Sequence, residues 1–214
     1  VGNGRLGAMI FGDPENERIQ FNEDTYWTGG PYSSVVKGGA KYLTEVQDLV
    51  FKEKWFEAQK LFGRTLMGYP VEQQKYQPMG NLVFKFDNTK EYTNYKRWLD
   101  LTTGISDVEY TSDGVKYHRQ VFSSIPNQVI VVMITADQKK KISFSVSLRG
   151  VRNQDHSYYA TDYFHMNASG NNTFILTGKS ADYRCVKGQL KYEARLTAVC
   201  EDGTTRIDGD YLEV

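Results

Sequence analysis

Short runs of alternating apolar and polar residues recur along almost the whole chain, and helical spacing interrupts them only once. No other feature constrains the fold as strongly. Residues 6–11 and 18–21 flank Gly12-Asp13-Pro14 and read as a hairpin with a longer loop. Leu82, Phe84 and Phe86 alternate with Val83, Lys85 and Asp87, the period of a half-buried strand. Residues 105–110 and 115–122 are joined through Asp113-Gly114, whose two residues tolerate the positive φ of a tight hairpin turn. Residues 128–135 form a nearly continuous apolar run, expected as a strand buried on both faces. Alternation returns at 142–148, 174–177 and 190–199, while the polar, tyrosine-rich residues 153–170 read as a long loop. The exception is residues 40–67. There Leu43, Val46, Leu49 and Val50, then Phe56, Leu61, Phe62 and Leu66, recur at helical spacing around a break near Lys52-Glu53. This predicts a helical hairpin with one apolar stripe, ended by Gly68, Tyr69 and Pro70. A parallel sheet needs a crossover for each strand pair, and one helical region cannot supply them. The expected fold is mainly β: a large antiparallel β-sandwich, supersandwich-like, with a helical hairpin inserted at about 40–68.

Composition excludes several classes of function. The 26 basic residues balance the 26 acidic ones, so nothing points to nucleic acid or an anionic membrane surface. No apolar run approaches the roughly 18 residues of a membrane span. Aromatic residues make up 14% of the 214. That richness suits sheets and also polar ligands such as carbohydrate, though a tyrosine-heavy sandwich accounts for it without a ligand. Cys185 and Cys200 have no metal-ligand spacing, and both a disulfide between neighbouring strands and two separate thiols stay open. Asn167-Ala168-Ser169 and Asn171-Asn172-Thr173 are glycosylation sequons, meaningful only in a eukaryotic secreted protein. The chain opens on Val without a signal peptide, and residues 211–214 read as a strand without a closing turn. Both ends look cut, so an excised domain of a longer protein is expected.

One stretch concentrates chemistry. In residues 17–31 a strand-like run feeds Asn22, Glu23 and Asp24, then Trp27, then Gly29-Gly30-Pro31. These four side chains are the candidate substrate-proximal or interface residues. Glu23 and Asp24 do not make a glycosidase pair, because neighbours on an extended strand point to opposite faces. The bland alternative is a capped turn, in which Asn22 or Asp24 accepts from main-chain N–H groups toward Gly30 and orients Trp27. Trp27 itself reads either as a platform for a sugar ring or as a core residue under a loop. Gly2-Asn3-Gly4-Arg5-Leu6-Gly7 spells a dinucleotide fingerprint, but Gly12 and Pro14 stop the helix that would hold the pyrophosphate. A tight turn is the expectation there. His118, His156 and His165 share no zinc spacing; His118 is expected as a surface or cross-strand residue. No catalytic residue, metal site or cofactor is expected in the chain.

Several strings together resemble glycoside hydrolase family 95, the inverting α-L-fucosidases. They are Gly2-Asn3-Gly4-Arg5-Leu6-Gly7-Ala8-Met9, Gln20-Phe21-Asn22-Glu23-Asp24-Thr25, Trp27-Thr28-Gly29-Gly30-Pro31 and Tyr76-Gln77-Pro78-Met79-Gly80-Asn81-Leu82. Tyr95-Lys96-Arg97, Leu99-Asp100-Leu101 and the run from Tyr117 through His118, Arg119, Gln120, Val121 and Phe122 to Ser124 continue the series in order. Tyr26 and Thr28 depart from the leucine and serine that the resemblance leads one to expect. The resemblance implies that residues 1–214 are an N-terminal β-sandwich domain, truncated at both ends, whose partner is its own C-terminal (α/α)6 barrel. That barrel would carry the catalytic carboxylates, so the chain alone is expected to be inactive. The substrate of the whole enzyme would be a fucosylated or related glycan. An exported parent, periplasmic or extracellular, is favoured over a cytoplasmic one. Two alternatives remain: a free-standing carbohydrate-binding module using exposed tyrosines and Trp27, and the same domain from an α-galactosidase-like parent.

Overall fold

The computed structural model describes residues 1–87, 91–150 and 164–214. Thirteen antiparallel strands lie among them: β1 (Leu6–Ile10), β2 (Arg18–Glu23), β3 (Gly80–Phe86), β4 (Thr93–Asp100), β5 (Ile105–Ser112), β6 (Val115–Ser124), β7 (Val129–Ala136), β8 (Phe144–Gly150), β9 (Phe164–Ser169), β10 (Thr173–Lys179), β11 (Lys191–Thr197), β12 (Arg206–Asp208) and β13 (Tyr211–Glu213). Two helices, α1 (Leu43–Phe51) and α2 (Trp55–Thr65), follow a short 3-10 turn. The chain is therefore mainly β and antiparallel, with one helical insertion.

Six strands form one sheet in the order β1-β2-β3-β8-β13-β12. Its register puts Ala8, Phe21 and Ile19 on one face with Leu82, Phe84, Leu148, Val146 and Leu212. Arg18, Gln20, Lys85 and Arg149 occupy the other face. The apolar face meets a second layer built from two smaller sheets, β11-β10-β9 and β4-β5-β6-β7. Phe174 and Leu176 from β10 and Val121 from β6 close one continuous core between the layers. Alternation with a period of two is what allows each strand to bury one side only.

The turn chemistry behaves as the residues dictate. Asp113 and Gly114 both take positive φ, at 49° and 73°. Gly2 pairs with Gly7 across a tight turn closed by Asn3, whose Oδ1 accepts from the Arg5 and Leu6 amides at 3.1 and 2.7 Å. That string is a turn and opens no helix. Residues 40–67 do form a helical hairpin, with Glu53 at positive φ in its break.

Two expectations need correction. Residues 128–135 are not buried on both faces. Strand β7 lies at the edge of the four-stranded sheet, and only the inner face of that sheet packs on the core: Ile130, Val132 and Ile134 turn inward while Met133 on the outer face is exposed. Residues 164–169, expected within a long loop, are strand β9, with Phe164 and Met166 packed on the core. The remainder of that loop, residues 153–163, lies outside the described residues. Strand β4 was not legible as a strand. It is an exposed edge with a register shift between Thr93 and Lys96, so no clean alternation survives. Cys185 and Cys200 are not joined.

The two layers are tied together at the β1–β2 turn. Tyr95 Oη donates to the Gly12 carbonyl at 2.9 Å, and Arg97 donates to the Phe11 carbonyl. Arg119 reaches the same turn from β6. It meets the Glu17 carboxylate at 2.6 Å and donates to the Asp13 carbonyl at 2.8 Å. Glu17 also accepts from the Phe11 and Gly12 amides at 3.0 Å. Both partners of this ion pair are buried. Burial pushes the Glu17 carboxyl up and the Arg119 guanidinium down, and each partner's charge opposes the shift.

Candidate functional site

Strand β2 delivers Asn22, Glu23 and Asp24 to the end of the six-stranded sheet. Glu23 pairs with Leu6 and Asn22 with Gly7, so the two side chains lie on opposite faces. Beyond Glu23 the chain is threaded between residues 74–79 and 180–189. The Thr28 amide donates to the Lys75 carbonyl at 2.8 Å, and the Gly29 amide donates to the Ala181 carbonyl at 2.7 Å. The Gln77 amide donates to the Tyr26 carbonyl at 2.9 Å, and Tyr26 Oη donates to the Lys179 carbonyl at 3.0 Å. Tyr26, Thr28, Gln77 and Ser180 are buried in this corner.

The cap expected from Asn22 or Asp24 belongs instead to Glu23. Its Oε2 accepts from the Thr25 amide at 2.9 Å and from Thr25 Oγ1 at 2.7 Å, while Oε1 faces Arg5 Nε at 3.3 Å. Asp24 contributes its main chain: Trp27 Nε1 donates to the Asp24 carbonyl at 3.1 Å. Tyr76 completes the arrangement. Its Oη donates to the Glu23 carbonyl at 2.9 Å, and its ring meets Trp27 edge-on at 5.3 Å. Trp27 is half-buried, and Asp24 is exposed. Asn22 Oδ1 is buried and has no hydrogen-bond partner among the described residues. Sequence reasoning missed Tyr76 because its pairing with Trp27 is a long-range bridge.

The chemistry of the corner follows from these contacts. Burial alone would raise the Glu23 carboxyl. The hydrogen bonds from Thr25 and Arg5 outweigh burial and hold it below its ordinary 4.5. Glu23 is therefore an ionised acceptor near neutrality, and it has no proton to donate to a leaving group. Its lowered value also sets a pH dependence. The stability it contributes is present above its ordinary value and is lost as pH falls through the folded value. Replacing Glu23 by Gln is expected to flatten the loss of stability as pH falls below the ordinary value of 4.5, measured as the urea midpoint against pH. An unchanged acid limb in Glu23→Gln would contradict this assignment.

A second polar group lies on the outer face of the four-stranded sheet. His118 Nε2 and Gln120 Nε2 both sit 2.8 Å from Asp107 Oδ1, and the Trp98 ring lies nearly parallel to His118 at 6.1 Å. His118 is thus a cross-strand residue. His165 lines a depression of about 590 Å³ with Lys179, Lys191 and Tyr192. None of Asn22, Glu23, Asp24 and Trp27 lines it. His156 lies outside the described residues. Among the described residues no three His, Cys, Asp or Glu side chains gather as metal ligands, and no helix is long and apolar enough to cross a membrane.

The whole chain, residues 1–214, matches the family described as Glycosyl hydrolase family 65, N-terminal domain. The chain belongs to that family. The match spans the strands, the corner and the helical insertion alike. It is 39% identical over 150 residues to Alpha-L-fucosidase 2 of Arabidopsis thaliana, covering 69% of this chain and 17% of that protein. It is 33% identical over 143 residues to Probable alpha-fucosidase A of Aspergillus oryzae, covering 64% of this chain and 19% of that protein. A third relative, Probable alpha-fucosidase A of Aspergillus niger, is 29% identical over 146 residues, covering 64% and 18%. The chain matches less than a fifth of the length of each of these proteins.

Proposed function

We propose that the chain is the non-catalytic N-terminal domain of an inverting α-L-fucosidase, where it packs on an (α/α)6 barrel and shapes one wall of its cleft. The observation that carries this reading is the 39% identity to an α-L-fucosidase over a stretch that makes up only 17% of that protein. The corner is consistent with such a role. An inverting glycosidase needs an acid and a base on either side of the bond, roughly 6.5–9.5 Å apart. Glu23 is committed to Thr25 and Arg5, and Asp24 adjoins it in sequence, so the pair does not meet that requirement. Asn22, Glu23, Asp24 and Trp27 would act as wall or interface residues, with Trp27 held in one orientation by the Asp24 carbonyl and Tyr76. Barrel side chains would supply the acid and the base. A half-buried Trp27 with its indole N–H already engaged does not favour the free-standing binding module.

The test compares the 214-residue chain with its full-length parent on an aryl α-L-fucoside and an aryl α-D-galactoside. The parent is expected to turn over the fucoside with inversion at the anomeric carbon, followed by NMR, and the chain alone to turn over neither. Turnover by the isolated chain at a rate near the parent's would sink the division of labour. Preference of the parent for the galactoside would sink the sugar assignment.

A further inference from the structure

The helical hairpin carries more apolar surface than its own packing uses. Val46 and Leu49 of α1 are half-buried beside the second helix, as are Leu61 and Thr65 of α2, and Ala58 is buried. The remaining apolar residues point away. Phe51 is 84% exposed, Phe56 74% and Trp55 61%. Leu43, Val50 and Phe62 are exposed as well. Leu43 and Val50 lie two turns apart on α1, and Trp55 and Phe62 two turns apart on α2, so each pair shares a side of its helix. The stripe that the sequence places on one face is thus split into an inner and an outer half. Neither helix packs broadly on any strand among the described residues. Single exposed apolar side chains are ordinary on a protein surface, but six on one hairpin are not.

The outer face of the six-stranded sheet differs from the hairpin: it carries Arg18, Gln20, Lys85 and Arg149. Charges on the hairpin are mixed: Lys41, Lys52, Lys54, Lys60 and Arg64 alternate with Glu45, Asp48, Glu53 and Glu57. A helix that lies on a membrane carries a strongly basic polar face, and this hairpin does not. The pattern suits a protein partner with an apolar helical surface and a mixed-charge rim.

We infer that the outer stripe of the hairpin, centred on Phe51, Trp55 and Phe56, is the surface on which the remaining polypeptide of the parent enzyme docks, helix against helix. The inference rests on the reading of the chain as one domain of a longer glycosidase. The matched region is 17–19% of the fucosidase relatives, so such a parent has a large second body in the same polypeptide. A tethered partner is present at high effective concentration and can cover a patch of this size without a separate association step.

Hydrogen–deuterium exchange on the full-length parent and on the 214-residue chain tests the inference. In the parent, amides of residues 43–65 are expected to exchange more slowly than in the chain, and Trp55 to be shielded from acrylamide quenching. Phe51→Asp with Phe56→Asp in the parent is expected to abolish that difference while leaving exchange in β3 and β8 unchanged. Equal exchange at residues 43–65 in parent and chain would overturn the inference. So would protection that appears in the chain alone and grows with its concentration, because the occupant would then be a second copy. Fucoside turnover by the parent is read separately. A parent that cleaves fucosides with an exposed hairpin defeats only the docking surface, and a protected hairpin on a parent with another substrate defeats only the sugar assignment.

Discussion

Arg119→Met is expected to destabilise the chain by about 3–5 kcal/mol, the cost of leaving a buried charge without its partner. Arg119 and Glu17 side chains are 2% and 0% exposed, and their charged atoms stand 2.6 Å apart. The methionine would occupy the space beside Phe86 but leave the buried Glu17 carboxylate with main-chain amides, those of Phe11, Gly12 and Arg18, in place of a cation. The deficit should depend on pH. Burial already raises the Glu17 carboxyl, and loss of the Arg119 charge removes an influence that lowers it. A carboxyl raised in the folded state binds its proton more tightly there than in the unfolded chain. The variant therefore recovers stability as pH falls toward the ordinary value of 4.5 and loses it as pH rises through the raised value. Urea unfolding of both proteins at several pH values measures this. A deficit under about 1 kcal/mol that does not change with pH would remove Glu17–Arg119 as the tie between the layers.

Gly188→Ala is expected to cost about 3 kcal/mol, at the upper end for overpacking. A Cβ at this position would lie 1.9 Å from the Ser180 carbonyl oxygen and 2.9 Å from the Ala181 carbonyl carbon. These are main-chain atoms, so no side-chain rotation relieves the clash. Ser180 and Ala181 must move, and they hold the candidate corner: Ser180 Oγ and the Ala181 carbonyl both bond Gly29, and the Ala181 amide donates to Gln77 Oε1 at 3.1 Å. The variant should accordingly shift Trp27 fluorescence as well as the urea midpoint. Gly63→Ala is the control. Nothing lies within 4 Å of its added Cβ, and it sits in helix α2, where alanine gains up to about 1 kcal/mol over glycine. A Gly188→Ala protein as stable as the parent chain would mean that residues 180–181 yield freely.

The candidate corner was only half legible. Asn22, Glu23, Asp24 and Trp27 stand out in the sequence because three polar side chains adjoin a tryptophan and a glycine-rich stop. Which of them caps the turn was not readable. Asn22 and Asp24 are the stronger turn formers by type, yet Glu23 has the length to reach Thr25 and Arg5 together. Tyr76, which orients Trp27, is distant in sequence and announces itself by no spacing.

Local pattern determined the elements, and tertiary structure determined their surroundings. The sequence alone specified an antiparallel β chain with one helical hairpin, the positive-φ turn at Asp113-Gly114 and the turn at Gly2–Gly7, because backbone geometry imposes periods of 2 and 3.6 on short segments. Its ordered strings also carried the resemblance to a glycosidase. Layering decided the rest. Residues 128–135 are buried on only one face because the outer face of their sheet has no layer packed on it among the described residues. The apolar stripe of residues 43–62 was divided between an inner and an exposed side because two short helices can cover only one side of each other. Glu17 and Arg119 met because the β1–β2 turn folds over β6, a proximity that no local period encodes.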